Sequence, residues 1–466
     1  MLSAWATYSS IDLLAETYDG YRVSTYESAV ERGLGRRFRT VVEISILIFC
    51  CGTAVGYVIA VGDILERVVV PVLTAGRKRA LMSLVWVAAM LPLSCLRTMK
   101  SLELASSVGI ASIGTLLVAA IVHCVRTGSG GGGDDDRGFE MPANHDRYDS
   151  EKSVSIVSLL GPAGGSWLSV LQACPIFFYA FSSQVNVAQI FEELPGRHGN
   201  NPRKIRSMRR VTLLGVTVCG SLYAGLSLVT LADFGDRVRP NILSCYDLRD
   251  GAQPLLHVAF VGMALAVVIA FPLNIFPARV SLIQMWDDDD EHGTPEDDNR
   301  SSSPASDIED IRQPLLSMDA PAVNTEHTCS DDGDDDNSTG EDSSPPQSVP
   351  ALVSPNHGSG DRIEPSPADE EEEGGGVEEF RWVQHTLLTL LLAGLALGLA
   401  LIVPNISVVF GLLGGTTSSL LGFVVPGLLG LQLDRHRIGA WVLVVFGSLI
   451  GVFTTGATVY SMVGSA

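Results

Sequence analysis

The sequence predicts an all-α, polytopic membrane protein, and three observations carry that prediction. The first is a series of nine long runs that are apolar and nearly free of charge: 40–61, 80–96, 101–125, 165–191, 211–232, 254–283, 383–403, 406–432 and 439–463. About twenty apolar residues cross the ~30 Å hydrocarbon core as a helix. Nine such runs are too many for the buried core of one soluble domain. The second is segregated charge. The formal charge is −21, yet residues 287–380 hold 29 of the 52 acids and only three bases, Arg300, Arg312 and Arg362. The rest carries 23 acids against 28 bases, so the body is mildly basic and apolar. No basic patch is interleaved with aromatics, so nucleic-acid binding has no support. The third is the placement of Lys and Arg near the ends of the runs. RHGNNPRKIRSMRR (197–210) holds six of them, which marks a cytosolic loop. Alternation then puts 18–39, 97–100, the acidic insert and 433–438 on that side, with 63–79, 126–155, 233–253 and the C-terminus on the other. The four bases of 63–79 run against the bias.

Residues 1–17, MLSAWATYSSIDLLAET, carry Asp12 and Glu16 and are too short and polar to span alone. They lack a basic n-region and a small-residue cleavage site, so they make a poor signal peptide and look like the second half of a helix. Residues 18–39 form a basic connector with Arg22, Arg32, Arg36, Arg37 and Arg39. Three spans fill 40–125. Within the first, Gly52, Thr53 and Gly56 suit close packing, and Asp63 falls at its end as an interfacial residue or, alternatively, a proton-coupling one. The stretch GSGGGGDDD makes 126–155 a flexible non-cytosolic loop. Three more spans fill 156–286, including an interrupted one at 165–194.

Residues 287–380 are rich in Ser, Pro, Gly and Asp and cannot bury enough apolar surface to fold, so a disordered cytosolic loop is expected. Its EDIRQPLL (309–316) is either chance sequence or an acidic dileucine sorting signal. Ile311 stands where an acid is usual. This loop is the place for a sorting or signalling partner. Residues 381–466 hold the last three spans. The eight cysteines make no metal spacing. Cys124 and Cys245 fall at ends on the same non-cytosolic side, which leaves a disulfide between them open. There is no Ser/His/Asp constellation, phosphate loop or zinc spacing, so neither an enzyme nor a bound cofactor or metal is expected.

FYAFSSQVNVAQIFEEL (178–194) stands apart, because Ser182, Ser183, Gln184 and Asn186 put four polar side chains into five positions of a membrane span. Polar groups in a bilayer must find partners. Two readings compete: hydrogen-bond glue between helices, or a broken helix whose freed backbone groups bind a solute at mid-membrane. The four side chains are uncharged, which suits a small zwitterion or a neutral polar solute. Two other spans are interrupted. IAFPLNIFPARVSL (269–282) sets Pro272 and Pro277 around Asn274, and a Pro inside a helix kinks it. FGLLGGTTSSLLGFVVPG (410–427) mixes glycines with Thr416, Thr417, Ser418 and Ser419, where helix packing is the simpler reading. Tyr57 and Asn274 are weaker candidates facing the same cavity. Glu192 and Glu193 close the polar helix beside a basic loop and serve as a solvated cap.

Four stretches, in this order, resemble the amino acid/auxin permease family of amino-acid transporters. GYVIAVGDIL (56–65) is similar to its third helix, and PIFFYAFSSQVNVAQIFEEL (175–194) with the basic loop after it to its sixth. AFPLNIFPARVSL (270–282) is similar to its eighth, and VPNISVVFGLLGGTTSSLLGFVVPGLLGLQL (403–433) to its ninth-to-tenth connection and tenth. The resemblance implies a broken-helix, inverted-repeat (LeuT-like) architecture and secondary transport of amino acids driven by protons or, in one branch, by sodium. It favours a substrate-facing break at 182–186. Where the family commonly has Cys-His before the x-Asn-Val stretch, this chain has Ser183-Gln184. Ala270 stands where sodium-coupled members carry a Thr; with no side-chain oxygen it disfavours a hard cation, leaving the proton as the expected coupling ion.

WATYSSIDLLAETYDGYRVSTYESAVERGLG (5–35) resembles the end of the family's second helix and its connector, which implies that the first helix is absent. A truncated gene model is the expected reason, and a genuine short form is expected not to transport. The alternative function is a non-transporting amino-acid sensor or scaffold with the acidic loop docking a partner. The acidic loop and its near-dileucine point to an endomembrane such as a vacuole or lysosome over the cell surface.

Overall fold

The computed structural model describes residues 2–68, 75–95, 102–129, 167–196, 201–238, 241–246, 254–290, 367–403, 405–434 and 436–464. Among these residues the regular structure is all helical. Seven of the helices are long and apolar enough to cross a membrane: Arg36–Val68, Ser106–Arg126, Pro202–Phe234, Pro254–Met285, Gln384–Ile402, Ile406–Gln432 and Arg437–Tyr460. The chain forms two units, residues 1–301 with 386–466, and residues 302–385. The packing described below is that of the first unit. The described part of the second is the beginning of a helix that starts at Pro367.

In chain order, α1 is Leu2–Tyr21, α2 Tyr26–Leu34 and α3 Arg36–Val68. α4, Ala75–Val85, passes through a π turn, Trp86–Met90, into α5, Leu91–Ser94. α6 is Leu102–Ser129 and α7 Trp167–Ala180; a 3₁₀ turn, Gln184–Asn186, leads to α8, Val187–Glu193. α9 is Pro202–Phe234, α10 Pro254–Asp290 and α11 Pro367–Ile402. α12, Ile406–Leu413, runs through two π turns, Gly414–Ser418 and Leu420–Val424, into α13, Val425–Gln432; α14 is Arg437–Gly464.

Several boundaries differ from the sequence expectation. α1 extends past residue 17 to Tyr21, and the connector expected at 18–39 contains α2. Thr25 caps α2 by accepting from the Ser28 N–H at 3.1 Å, and Gly35 ends it at φ 91°, a conformation that only glycine adopts without strain. α6 continues to Ser129, past the expected loop start. α11 makes 367–380 helical where disorder was expected. Its first turns read ADEEEE, Ala and Glu being good helix formers and acids favouring a helix N-terminus. α10 runs through Pro272 and Pro277 as one helix. The expected loop at 130–155 and the insert at 291–366, EDIRQPLL included, lie outside the described residues. Cys124 and Cys245 are both thiols.

Burial separates inner helices from lipid-facing ones. In the most apolar window of 406–432, 67% of residues are buried, against 6% in Pro202–Phe234. The main core draws on the N-terminal segment: Leu14, Tyr18 and Tyr26 share one buried cluster with Val42 and Ala54 of α3, Phe191 of α8, Phe271 of α10 and Leu429 of α13. The outer faces expose Leu213, Leu214, Leu391 and Val452, as apolar helices do toward lipid. Glycines set the closest approaches. A Cβ on Gly414 would lie 1.8 Å from the backbone oxygen of Pro175, so the first π turn and α7 touch backbone to backbone.

The charges of α1 explain how so polar a helix reaches the core. Arg209 of α9 forks across two carboxylates one turn apart, Nε to Asp12 Oδ1 at 2.5 Å and Nη2 to Glu16 Oε1 at 2.9 Å. The Asn201 N–H donates to Asp19 Oδ2 at 2.9 Å, and Lys204 Nζ stands 4.6 Å above the Phe191 ring. α1, α8 and the start of α9 are thereby clamped together.

Two predictions follow from these contacts. Gly414→Ala should lower the melting temperature of the detergent-purified protein by the equivalent of roughly 1–3 kcal/mol or more, since backbone cannot yield as a side chain can. Gly456→Ala, with nothing within 4 Å, should leave it unchanged or raised. Arg209→Met should cost roughly 1–3 kcal/mol, tempered by its 36% side-chain exposure. Adding Asp12→Asn and Glu16→Gln should recover most of that loss in a thermal-melting mutant cycle.

Candidate functional site

The segment 178–194 is a broken helix. α7 ends at Ala180, Ser183 leaves helical geometry at φ −124° and ψ 5°, and α8 begins at Val187. Neither Pro nor Gly stands at the break. The side chains displace the backbone ladder instead. The Gln184 Oε1 accepts from the Ser183 N–H at 3.0 Å, and the Ser182 Oγ donates back to the Phe178 carbonyl at 3.2 Å. The Asn186 N–H closes a short turn on the Ser183 carbonyl at 3.1 Å. Tyr223 Oη donates to the Ala180 carbonyl, freed at the end of α7, at 3.3 Å.

Aromatic contacts fix α7 before the break. Tyr179 stacks on Phe410 at 4.3 Å and donates its hydroxyl to Thr53 Oγ1 at 3.1 Å. Phe178 meets Phe423 and Phe446 edge-on at 5.5 and 5.8 Å. Beyond the break, Val187, Ala188 and Phe191 bury α8, with Phe191 6.2 Å from Tyr18 of α1.

At the break lies a small cleft, partly open to the outside and lined by Phe49, Ser182, Gln184, Val185, Ser418 and Leu421. Its interior has room for about one water molecule. Gln184 is 2% exposed and Ser418 1%. Neither Gln184 Nε2 nor Ser418 Oγ has a hydrogen-bond partner. Buried polar atoms are usually satisfied; these are two of twelve such side-chain atoms among the described residues, and both belong to residues that line this cleft. No lining side chain is charged. The wall opposite the break is the double π turn, whose carbonyls are tied from the N-terminal segment: Ser10 Oγ donates to Gly422 O, and Tyr26 Oη to Leu421 O at 2.7 Å.

Of the residues singled out in the sequence, Ser182 and Gln184 come together in the cleft. Ser183 and Asn186 sit at the break but are exposed and outside the lining. Asn274 Nδ2 donates to the Ala270 carbonyl at 3.1 Å, and neither Tyr57 nor Asn274 lines the cleft. Phe49, Ser418 and Leu421 escaped the sequence reading. Ser418 had a signal, the Thr-Thr-Ser-Ser run in an apolar helix, whereas Phe49 and Leu421 are ordinary apolar residues of spanning helices.

Asp63 lies in α3 and belongs to a separate polar cluster. Lys78 Nζ donates to Asp63 Oδ1 at 2.5 Å and pairs with Glu66 Oε2 at 3.1 Å, and Asn241 Nδ2 donates to Asp63 Oδ2 at 3.1 Å. Burial works to lower the Lys78 pKa, but the hydrogen bonds and charges of the two carboxylates outweigh it and hold it raised.

Comparison with known proteins fits this geometry. The family model described as transmembrane amino acid transporter protein matches residues 1–466. Vacuolar amino acid transporter 6 of Saccharomyces cerevisiae is 26% identical over 262 residues, 55% of this chain and 52% of that protein. Amino acid transporter AVT6E of Arabidopsis thaliana is 24% identical over 292 residues, 60% of this chain and 54% of the relative. Sodium-coupled neutral amino acid transporter 7 of Danio rerio is 23% identical over 275 residues, 56% and 52% of the two chains. The chain thus spans about half the length of the curated relatives it matches. With spanning helices, a broken helix and a family match from end to end, it is an integral membrane protein that belongs to the transmembrane amino acid transporter family, also called the amino acid/auxin permeases.

Proposed function

We propose that this protein carries amino acids across a membrane as a secondary active transporter, coupled to protons, with the cleft at the 181–186 break as part of the substrate path. The observation that carries the reading is the interrupted helix itself, whose Ser182 and Gln184 line one cleft with Ser418 of the π turn. Membership in a transporter family gives that cleft a class of ligand. An uncharged lining suits a zwitterion with a neutral side chain, since a buried unpaired charge is expensive.

Proton coupling rests on chemistry at α10. Sodium wants oxygen ligands, and Ala270 offers no side-chain oxygen, while its carbonyl already accepts from Asn274. Four relatives, from Danio rerio, Xenopus laevis, Bos taurus and Rattus norvegicus, are named sodium-coupled, and two yeast relatives are named vacuolar. The Ala270 position favours the proton, and the vacuolar names, with the acidic insert of the sequence, favour an endomembrane.

The full chain reconstituted in proteoliposomes tests this. Radiolabelled neutral amino acids should accumulate several-fold above equilibrium under an inward proton gradient. A protonophore should abolish the accumulation, and replacing sodium with choline should leave it unchanged. Saturable binding without accumulation under any gradient would instead make the protein a sensor.

A further inference from the structure

The second π turn, Leu420–Val424, ends at a missing donor. The Val425 N–H bonds back to the Leu420 carbonyl, five residues earlier. The next backbone nitrogen belongs to Pro426 and carries no hydrogen. In the π register that nitrogen would serve the Leu421 carbonyl, and in the α register the Gly422 carbonyl. These are the two oxygens that take a hydroxyl from the N-terminal segment. Tyr26 Oη of α2 donates to Leu421 O at 2.7 Å, and Ser10 Oγ of α1 donates to Gly422 O. The paired residues are 395 and 412 positions apart in the chain, and both bonds are buried. A carbonyl that loses its helical donor inside a bilayer has no water to turn to, so a neighbouring side chain must replace it. Here two replacements arrive from one segment and meet two adjacent carbonyls.

The same segment holds α13 below the proline. A Cβ on Gly33 of α2 would lie 2.6 Å from Leu429 Cδ2, and one on Gly430 would lie 3.0 Å from Leu13 of α1. α2 is itself anchored to α3, because Arg39 bonds Glu31 Oε2 at 3.0 Å and Glu43 Oε1 at 2.7 Å. The two hydroxyls are therefore presented from fixed supports. Leu421 lines the cleft, whereas Ser10 and Tyr26 do not. We propose that Ser10 and Tyr26 are positioning residues for transport: they supply the hydrogen bonds that Pro426 withholds, and so set where the wall carrying Leu421 stands. This assignment rests on the transporter reading and extends the transport machinery into the N-terminal segment.

Uptake of radiolabelled neutral amino acids by the full chain in proteoliposomes, counted per folded transporter, tests it. Ser10→Ala should raise KM roughly 3- to 10-fold, and Tyr26→Phe, which removes the hydroxyl and keeps the ring, should do the same. A role in packing alone would lower the amount of folded protein and leave KM unchanged. Ser10→Thr retains a hydroxyl and should stay within about twofold of the unaltered protein. Pro426→Ala returns an N–H to the helix, and that N–H can serve one of the two carbonyls. In the Pro426→Ala background one of the two losses should therefore shrink to less than about twofold. Suppression of Ser10→Ala would report an α register there, and suppression of Tyr26→Phe a π register.

The same mutant cycle, read as the melting temperature of the detergent-purified protein, needs no substrate. Ser10→Ala and Tyr26→Phe should each lower it, and one of the two decrements should vanish when Pro426 is replaced by Ala. An unchanged KM in both single variants would make the hydroxyls packing contacts only. Losses of the same size with and without Pro426 would mean that the proline is not what they compensate. Either result overturns this assignment and leaves the transporter reading intact. No uptake by the unaltered protein under any gradient overturns the transporter reading and the positioning role together, while the melting cycle still decides whether the hydroxyls replace the donor missing at Pro426.

Discussion

The hydrogen bond from the Ser183 N–H to the side-chain oxygen of Gln184 is the contact on which the site depends. A helix crossing lipid cannot simply stop, because each freed N–H or carbonyl has no water to turn to. Here an amide one residue away supplies the acceptor that the ladder has lost. That substitution lets the chain leave helical geometry with no Pro or Gly at the break. Tyr223 completes the arrangement from α9 by donating to the Ala180 carbonyl. The break is therefore a bonded structure with its own side chains as partners.

How much of this the sequence showed depends on the range of the interaction. The apolar runs are local in composition, and seven of the nine fall on helices long and apolar enough to cross a membrane; 80–96 is interrupted by the π turn Trp86–Met90 and 165–191 by the break after Ala180. Four polar side chains in five positions are local too, and the break falls on them. The clamp on α1 was invisible because its two halves are 193 residues apart: Asp12 and Glu16 look like a penalty until Arg209 is placed between them. Tyr57 and Asn274 carried a correct type of signal with an unknown phase. Which cavity a helical residue faces depends on the rotation of the helix, and neither of these lines the cleft. Ser418 failed for a finer reason. Thr416, Thr417 and Ser419 all bond back to their own helix, and only the π register separates Ser418 from them. Composition does not encode that register.

The two halves of the broken helix belong to different neighbours. α7 packs on α12, the first π turn and α14, with the Gly414 contact to Pro175 and the aromatic contacts of Phe178 and Tyr179 holding it there. α8 packs on α1, through Tyr18 and Phe191. α1 is in turn bound to α9 by the Arg209 fork, and Lys204 of α9 caps the same phenyl ring. Close-packed contacts such as these do not stretch. The N-terminal segment also ties the two groups together, since Ser10 Oγ donates to Gly422 O and Tyr26 Oη to Leu421 O, and α1 packs on α13 as well as on α8. The non-helical residues 181–186 are therefore held from both sides, by the helices on which α7 rests and by α1.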